Sequence, residues 1–166
     1  MAPNALSVRP ARDGDAAGLC SLLNEIIAVG GTTAHETQLT DATFRDYFLV
    51  GEDHLSCQVA ENDDGLLLGF QSLERNLGLP PDWGDIATFA RLQPKVPGVG
   101  RALFAATLAV ARDLGLVAIN ATIRADNTSG LGYYGKMGFQ DYAVKAAVPL
   151  SDGTPVDRIS KRYLIA

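Results

Sequence analysis

The sequence predicts a mixed α/β domain, α+β in layout. It has one central, mostly antiparallel sheet of about seven strands flanked by about four helices. Three observations carry this. Strand-like and helix-like hydrophobic patterns follow one another in the order β-α-α-β-β-β-α-β-α-β-β. Between Asp85 and Leu114 a β-prone apolar segment, a turn holding Gly98 and Gly100, and an amphipathic segment adjoin directly. The run from Leu116 to Ile123 reads as a continuous apolar strand, as expected inside a sheet covered on both faces.

Leu6 to Arg9 reads as a short first strand. Asp13 is the expected cap of a helix whose buried face carries Leu19, Leu22, Leu23, Ile26 and Ile27, and Gly30-Gly31 ends it. A polar loop, Thr-Thr-Ala-His-Glu-Thr, occupies 32–37. A short helix from Asp41 to Leu49 follows, with Phe44, Tyr47 and Phe48 expected inward. His54 to Ala60 alternates as a second strand, the turn 61–65 closes a hairpin, and Leu66 to Glu74 is the third strand. After a loop at 78–84 come the fourth strand, the glycine turn and a helix with Leu103, Ala106, Thr107, Val110, Ala111 and Leu114 at helical spacing. The strand 116–123 is followed by a short helix from Asn127 to Met137, ended by Gly138. Two last strands, Phe139 to Val148 and Ile159 to Ile165, flank the turn 151–155.

The chain has 166 residues, enough for one domain, 1–166, with a sizeable core. Its net charge of −5 argues against nucleic acid as a main partner, because phosphate binding needs a basic face. No apolar run approaches a membrane span, and the first residues do not read as a signal peptide. Cys20 and Cys57 are scattered among apolar residues, which fits buried thiols and a cytoplasmic location. The scattered acids offer no metal-ligand spacing, so no metal is expected.

Strand, glycine turn and helix form the layout that aims unpaired backbone N–H groups at an anion. Gly-x-Gly alone is also a plain tight turn. A dinucleotide fingerprint would want glycine where Leu103 stands, and the Gly-Lys-Ser/Thr of a P-loop is absent.

A second signature lies about thirty residues on: Asn127-Thr-Ser-Gly-Leu-Gly-Tyr133-Tyr134-Gly-Lys136-Met-Gly138-Phe139. Together with Lys95-x-x-Gly98-x-Gly100 it resembles the GNAT-type N-acetyltransferase superfamily, and within it the phosphinothricin acetyltransferase subgroup. The resemblance covers nearly the whole chain, since the element order also matches. It departs at Lys95, where the superfamily usually has Gln or Arg, and at Pro97, which removes one backbone donor from the turn.

The resemblance implies a GNAT-like sheet with splayed fourth and fifth strands, and acetyl-CoA as co-substrate. The pyrophosphate would meet Gly98, Val99, Gly100 and Arg101, with Lys95 nearby. The pantetheine amides would pair with the backbone of Phe89, Ala90, Arg91 and Leu92, and Asn127 would touch the same arm. Tyr134 is the implied general acid for the leaving thiolate, while Tyr133 reads as structural. For the general base Asp85, at the start of strand four, stands first; Glu36 in the 32–37 loop competes, as base or as a clamp on the acceptor; Glu74 is third. A loop histidine such as His35 is expected to be simply exposed, and His54 is assigned no role. The reading is acetyl transfer to the amine of a small-molecule acceptor, such as an amino acid or analogue, by direct attack. Neither cysteine lies in the signatures, which disfavours a covalent enzyme intermediate. The rival is a non-catalytic acyl-CoA-binding or regulatory domain of the same fold. The resemblance also allows a homodimer paired through the apolar terminal strands.

Overall fold

A computed structural model describes residues 5–166. Its strands are β1 (Ser7–Pro10), β2 (His54–Glu61), β3 (Leu67–Glu74), β4 (Trp83–Ala90), β5 (Ala118–Arg124), β6 (Gln140–Pro149) and β7 (Pro155–Leu164). Its helices are α1 (Ala16–Val29), α2 (Asp41–Phe48), α3 (Val99–Asp113) and α4 (Thr128–Met137). The seven strands form one sheet in the order β1-β2-β3-β4-β5-β7-β6. Every neighbouring pair is antiparallel except β4 and β5, which run parallel.

Side chains alternate across each strand, so the sheet carries a core on each face. Phe70 and Phe89 meet α1 and α2 through Leu19, Leu23, Phe44 and Phe48. Leu73, Ile86 and Ile119 face the other way and pack with Phe104, Tyr134 and Phe139. α1 buries the stripe its spacing prescribes, Leu19, Leu22, Leu23, Ile26 and Ile27; α3 buries Leu103, Thr107 and Ala111 as read, but its stripe turns toward Val99 and Phe104, and Leu114, past the helix end, is exposed.

Several local expectations are corrected. Asp13 does not cap α1; it opens a single 3-10 turn over Asp13–Asp15. Asp15 takes over the junction. Its carboxylate holds Arg9 with two hydrogen bonds of 2.8 and 2.9 Å and accepts from Arg12 N at 2.7 Å. Tyr47 is 47% exposed, because an eight-residue helix has too narrow a stripe to bury Tyr47 beside Phe44 and Phe48. The strand 116–123 is not apolar on both faces. Asn120, Thr122 and Arg124 share one face, and Thr122 and Arg124 line the cleft described next.

Candidate active site

The parallel pair β4 and β5 keeps register over only three residue pairs, Trp83↔Ala118, Gly84↔Ile119 and Asp85↔Asn120. Beyond Asp85 the strands part. β4 stays with β3 as far as Gly69↔Ala90, and β5 stays with β7 as far as Arg124↔Arg158. The gap opens into a cleft of about 1250 Å³. The side of β4 that turns away from β3 is left without a strand partner from Ile86 onward, so its amide groups are free to pair with a ligand.

At the open end of the cleft stands the start of α3. Gly98 holds φ 86°, a left-handed conformation that suits glycine, and it caps α3 without any side-chain hydrogen bond. The first-turn N–H groups of a fifteen-residue helix therefore face the cleft unspent, at the positive end of its dipole. Gly100 is needed for a different reason. A Cβ there would sit 2.5 Å from Tyr133 Cε2, and the Tyr133 hydroxyl donates to the Gly100 carbonyl at 2.7 Å. Tyr133 thus braces the turn from α4.

The sequence Asn127 to Gly138 folds as α4 because both ends are stopped. Asn127 Oδ1 accepts from Gly130 N at 2.9 Å, and Gly138 closes the helix at φ 100°. Asn127 Nδ2 also donates to the carbonyl of Thr32, tying the helix to the loop after α1. A Cβ on Gly130 would come within 2.4 Å of Asn127 Nδ2, so that glycine makes room for the cap.

Tyr134 is buried at the point where the strands part. Its hydroxyl lies 2.9 Å from Thr88 Oγ1. Thr88 in turn accepts from Gln71 Nε2 at 2.9 Å, and the second proton of that amide goes to Tyr133 at 3.1 Å. With Gln71 donating into it, the Thr88 hydroxyl has its own proton to give to Tyr134. That leaves the phenol proton free for the cleft. Burial pushes Tyr134 well above the ordinary phenol range, so it is protonated at neutral pH; the Thr88 hydrogen bond works the other way.

On the opposite face of the sheet lie two carboxylates. Glu74 and Asp85 face each other across β3 and β4, and Asn120 faces Asp85 from β5. Both Asp85 oxygens are engaged: Oδ1 accepts from Asn120 Nδ2 at 2.9 Å and Oδ2 from Asn76 Nδ2 at 3.0 Å. The Tyr142 hydroxyl donates to Asn120 Oδ1 and fixes that amide. Burial, helped by the charges of Asp85 and Asp53, pushes the Glu74 carboxyl up to about 7. His35 is not simply exposed. It packs edge-on against Tyr47 with 5.5 Å between ring centroids and tilts over Phe48 and Phe89, and burial lowers its pKa.

The cleft lining thus includes Asp85, Glu74, Phe89, Ala90, Arg91, Leu92, Lys95, Gly98, Val99, Gly100, Asn127 and Tyr134. Two expected residues stand apart. Arg101 is exposed on α3 and does not line the cleft. Glu36 lies outside the lining too; its carboxylate accepts from Ser151 N at 3.0 and 3.1 Å and from Ser151 Oγ at 2.9 Å, in the turn between β6 and β7. Gln71, Thr88 and Asn120 are site residues that motif reading passes over. Their signal was there for two of them: a Gln and an Asn inside apolar strands are buried polar groups that need partners. Among the described residues no cluster of His, Cys, Asp and Glu is arranged to hold a metal ion, and no helix is long and apolar enough to cross a membrane.

No protein-family model matches the sequence, and no curated protein matches it. Solved structures do. A GCN5-related N-acetyltransferase from Kribbella flavida superposes with a TM-score of 0.84 at 24% identity, over 97% of this chain and 98% of that one. A GNAT superfamily phosphinothricin acetyltransferase from Sinorhizobium meliloti, in complex with acetyl-CoA, gives 0.84 at 19% identity, over 97% and 89%. A ribosomal-protein-alanine N-acetyltransferase from Brucella melitensis gives 0.79 at 19% identity, over 96% and 99%. The fold is the GNAT fold, as the two sequence signatures implied.

Proposed function

We propose that this chain is an acetyl-CoA-dependent N-acetyltransferase that moves an acetyl group directly to the amine of a small molecule. The observation that carries the reading is the parted β4–β5 pair, with a buried tyrosine at the parting and an uncapped helix start at the open end. These parts suit the three portions of acetyl-CoA. The first turn of α3 suits a pyrophosphate. The free side of β4 suits the pantetheine amides. The Tyr134 region suits the thioester sulfur.

The chemistry asks two things of the protein. A neutral amine must lose a proton as it attacks the thioester carbonyl, and the departing thiolate must gain one. Glu74 serves the first need better than Asp85, because a base poised near neutrality both exists unprotonated and pulls effectively. Asp85, with both oxygens held by asparagines, keeps the neighbouring negative charge in place and orients the pair. Tyr134 serves the second need: it is protonated, faces the cleft, and receives rather than spends a proton at Thr88. In one turnover the C–S bond breaks, the C–N bond forms, the amine's proton passes to Glu74 and the phenol's proton to the thiolate; Glu74 then releases its proton to solvent and Tyr134 takes one up, which restores both groups. Glu36 and Arg101 take no part in this scheme.

Calorimetry with acetyl-CoA, followed by thiol release with a panel of amines, tests the proposal. Binding with amine-dependent thiol release is expected. Binding with no release for any amine would support the non-catalytic rival, and no binding would sink both.

A further inference from the structure

The face of the sheet that carries the acids also carries the aromatic core. Across β3 and β4 three rows of paired side chains share that face: Phe70 with Phe89, Ser72 with Ala87, and Glu74 with Asp85. The middle row is small, so a hollow lies over Ala87 between the rings and the acids. Phe44, Phe48, Phe70 and Phe89 form one buried stack, with neighbouring centroids 4.8 to 5.9 Å apart. Its outermost rings are His35 and Tyr47. They meet edge-on at 5.5 Å, and both line the cleft together with Ala87, Phe89, Glu74 and Asp85. The corner they make is held in place. His35 N donates to Thr33 Oγ1 at 3.1 Å, and the Thr33 carbonyl accepts from Arg124 Nη1 at 3.3 Å, which fixes the loop against β5. Tyr47 leans on Phe48 with centroids 4.6 Å apart. Burial, and after it the charges of Glu74 and Asp85, raise the Tyr47 phenol, so this ring lies within range of both acids. Burial lowers His35, so at neutral pH it is an uncharged ring that does not repel a cation. An aromatic corner left half open inside a ligand cleft is apolar surface shaped for another flat ring.

We propose that the acceptor is an amine joined to an aromatic ring by a short linker, its nitrogen at Glu74 beside Asp85 and its ring in the hollow over Ala87, against His35 and Tyr47. The inference rests on the acetyl-transfer reading and adds to it the substrate class. Charge agrees: an amine that arrives protonated meets two carboxylates on the row next to the hollow. Size agrees as well. Successive rows on one face of a strand stand roughly 7 Å apart, about the span from the nitrogen to the ring centre of such an amine with a linker of about two or three atoms. A straight-chain amine of the same reach would leave the corner in contact with water. A saturated ring would cover it without the edge-to-face geometry that two aromatic walls offer a third ring.

The test titrates protein saturated with CoA with 2-phenylethylamine, 2-cyclohexylethylamine and propylamine by calorimetry, and follows the same amines by thiol release from acetyl-CoA. Phenylethylamine should bind and react best, at least tenfold above propylamine and about threefold above the cyclohexyl compound. Tyr47→Leu should cut the preference for the aromatic ring roughly threefold to tenfold, while Tyr47→Phe, which keeps the ring, should hold it. Tyr47 is half exposed on α2, so neither change should unsettle the fold, and His35→Leu should give a loss of the same kind. Equal affinities for the three amines, a preference that survives both leucine variants, or no binding of any amine would overturn the inference, while acetyl-CoA binding by calorimetry still upholds the cofactor site. Ring-selective binding without thiol release would uphold the ligand class and sink the acetyl-transfer reading instead.

Discussion

Replacing Glu74 by glutamine reaches furthest into the chemistry. The carboxyl is pushed up to about 7, first by burial and then by the charges of Asp85 and Asp53. A group with that value is about a tenth ionised at pH 6, half at pH 7 and nine-tenths at pH 8. A base that works only when ionised should therefore make kcat/KM climb about tenfold per pH unit below 7 and level off above it. Glu74→Gln removes the base and should cut turnover at pH 8 roughly a hundred- to ten-thousandfold. Stability should move the other way. The folded value stands above the ordinary 4.5, so the neutral form is the one the fold favours. That contribution is whole below about 4.5 and is lost as pH rises through about 7. Glutamine stays neutral, so the variant should melt higher than wild type at pH 8 and at about the same temperature at pH 4. Asp85→Asn should move the acidic limb to lower pH, part of the way only, because burial is the larger cause and remains. Thiol-release kinetics from pH 5 to 9 and thermal melts at both ends are the assays. Wild-type turnover in Glu74→Gln at pH 8, or an acidic limb that ignores both substitutions, would refute the assignment.

Tyr134→Phe keeps the packing and removes the proton donor, so turnover should fall roughly tenfold to a thousandfold while calorimetry finds acetyl-CoA affinity little changed; unaltered turnover would hand the acid's role to water. Gln71→Met removes both amide donors, and kcat should drop about tenfold with the acetyl-CoA KM unmoved, since Thr88 then has no fixed direction; a KM effect alone would make Gln71 a packing residue. Gly100→Ala should weaken acetyl-CoA binding at least tenfold by displacing Tyr133, and adding Tyr133→Leu should restore part of it; a single variant that binds like wild type would separate the turn from Tyr133.

Element order was legible because hydrophobic period and glycine stops act locally: Gly30 and Gly138 end their helices as read. Both signatures were legible for the same reason. Each is one continuous stretch of chain, and Gly98 does adopt the conformation that only glycine takes easily. The surroundings of the two candidate bases were not: Asn76 and Asn120 reach Asp85 from nine and 35 residues away, and the burial of Glu74 exists only once the sheet is packed. Glu36 stands outside the cleft lining for a similar reason, since Ser151 holds it from the turn between the last two strands.

On the proposed function, the brief pairing of β4 with β5 also gives acetyl-CoA a structural part. Strands β1 to β4 and strands β5 to β7 are two half-sheets riveted at three residue pairs, with a seam running up from Asp85. A bound pantetheine arm would serve as a splint along that seam, supplying the hydrogen bonds that a neighbouring strand would otherwise give. Mass action then sets how much firmer the loaded protein is, about 2.7 kcal/mol when acetyl-CoA stands at a hundred times its dissociation constant. The amides of β4 beyond Asp85 should be the first to exchange with solvent in the empty protein, and the ones most slowed once the splint is in place.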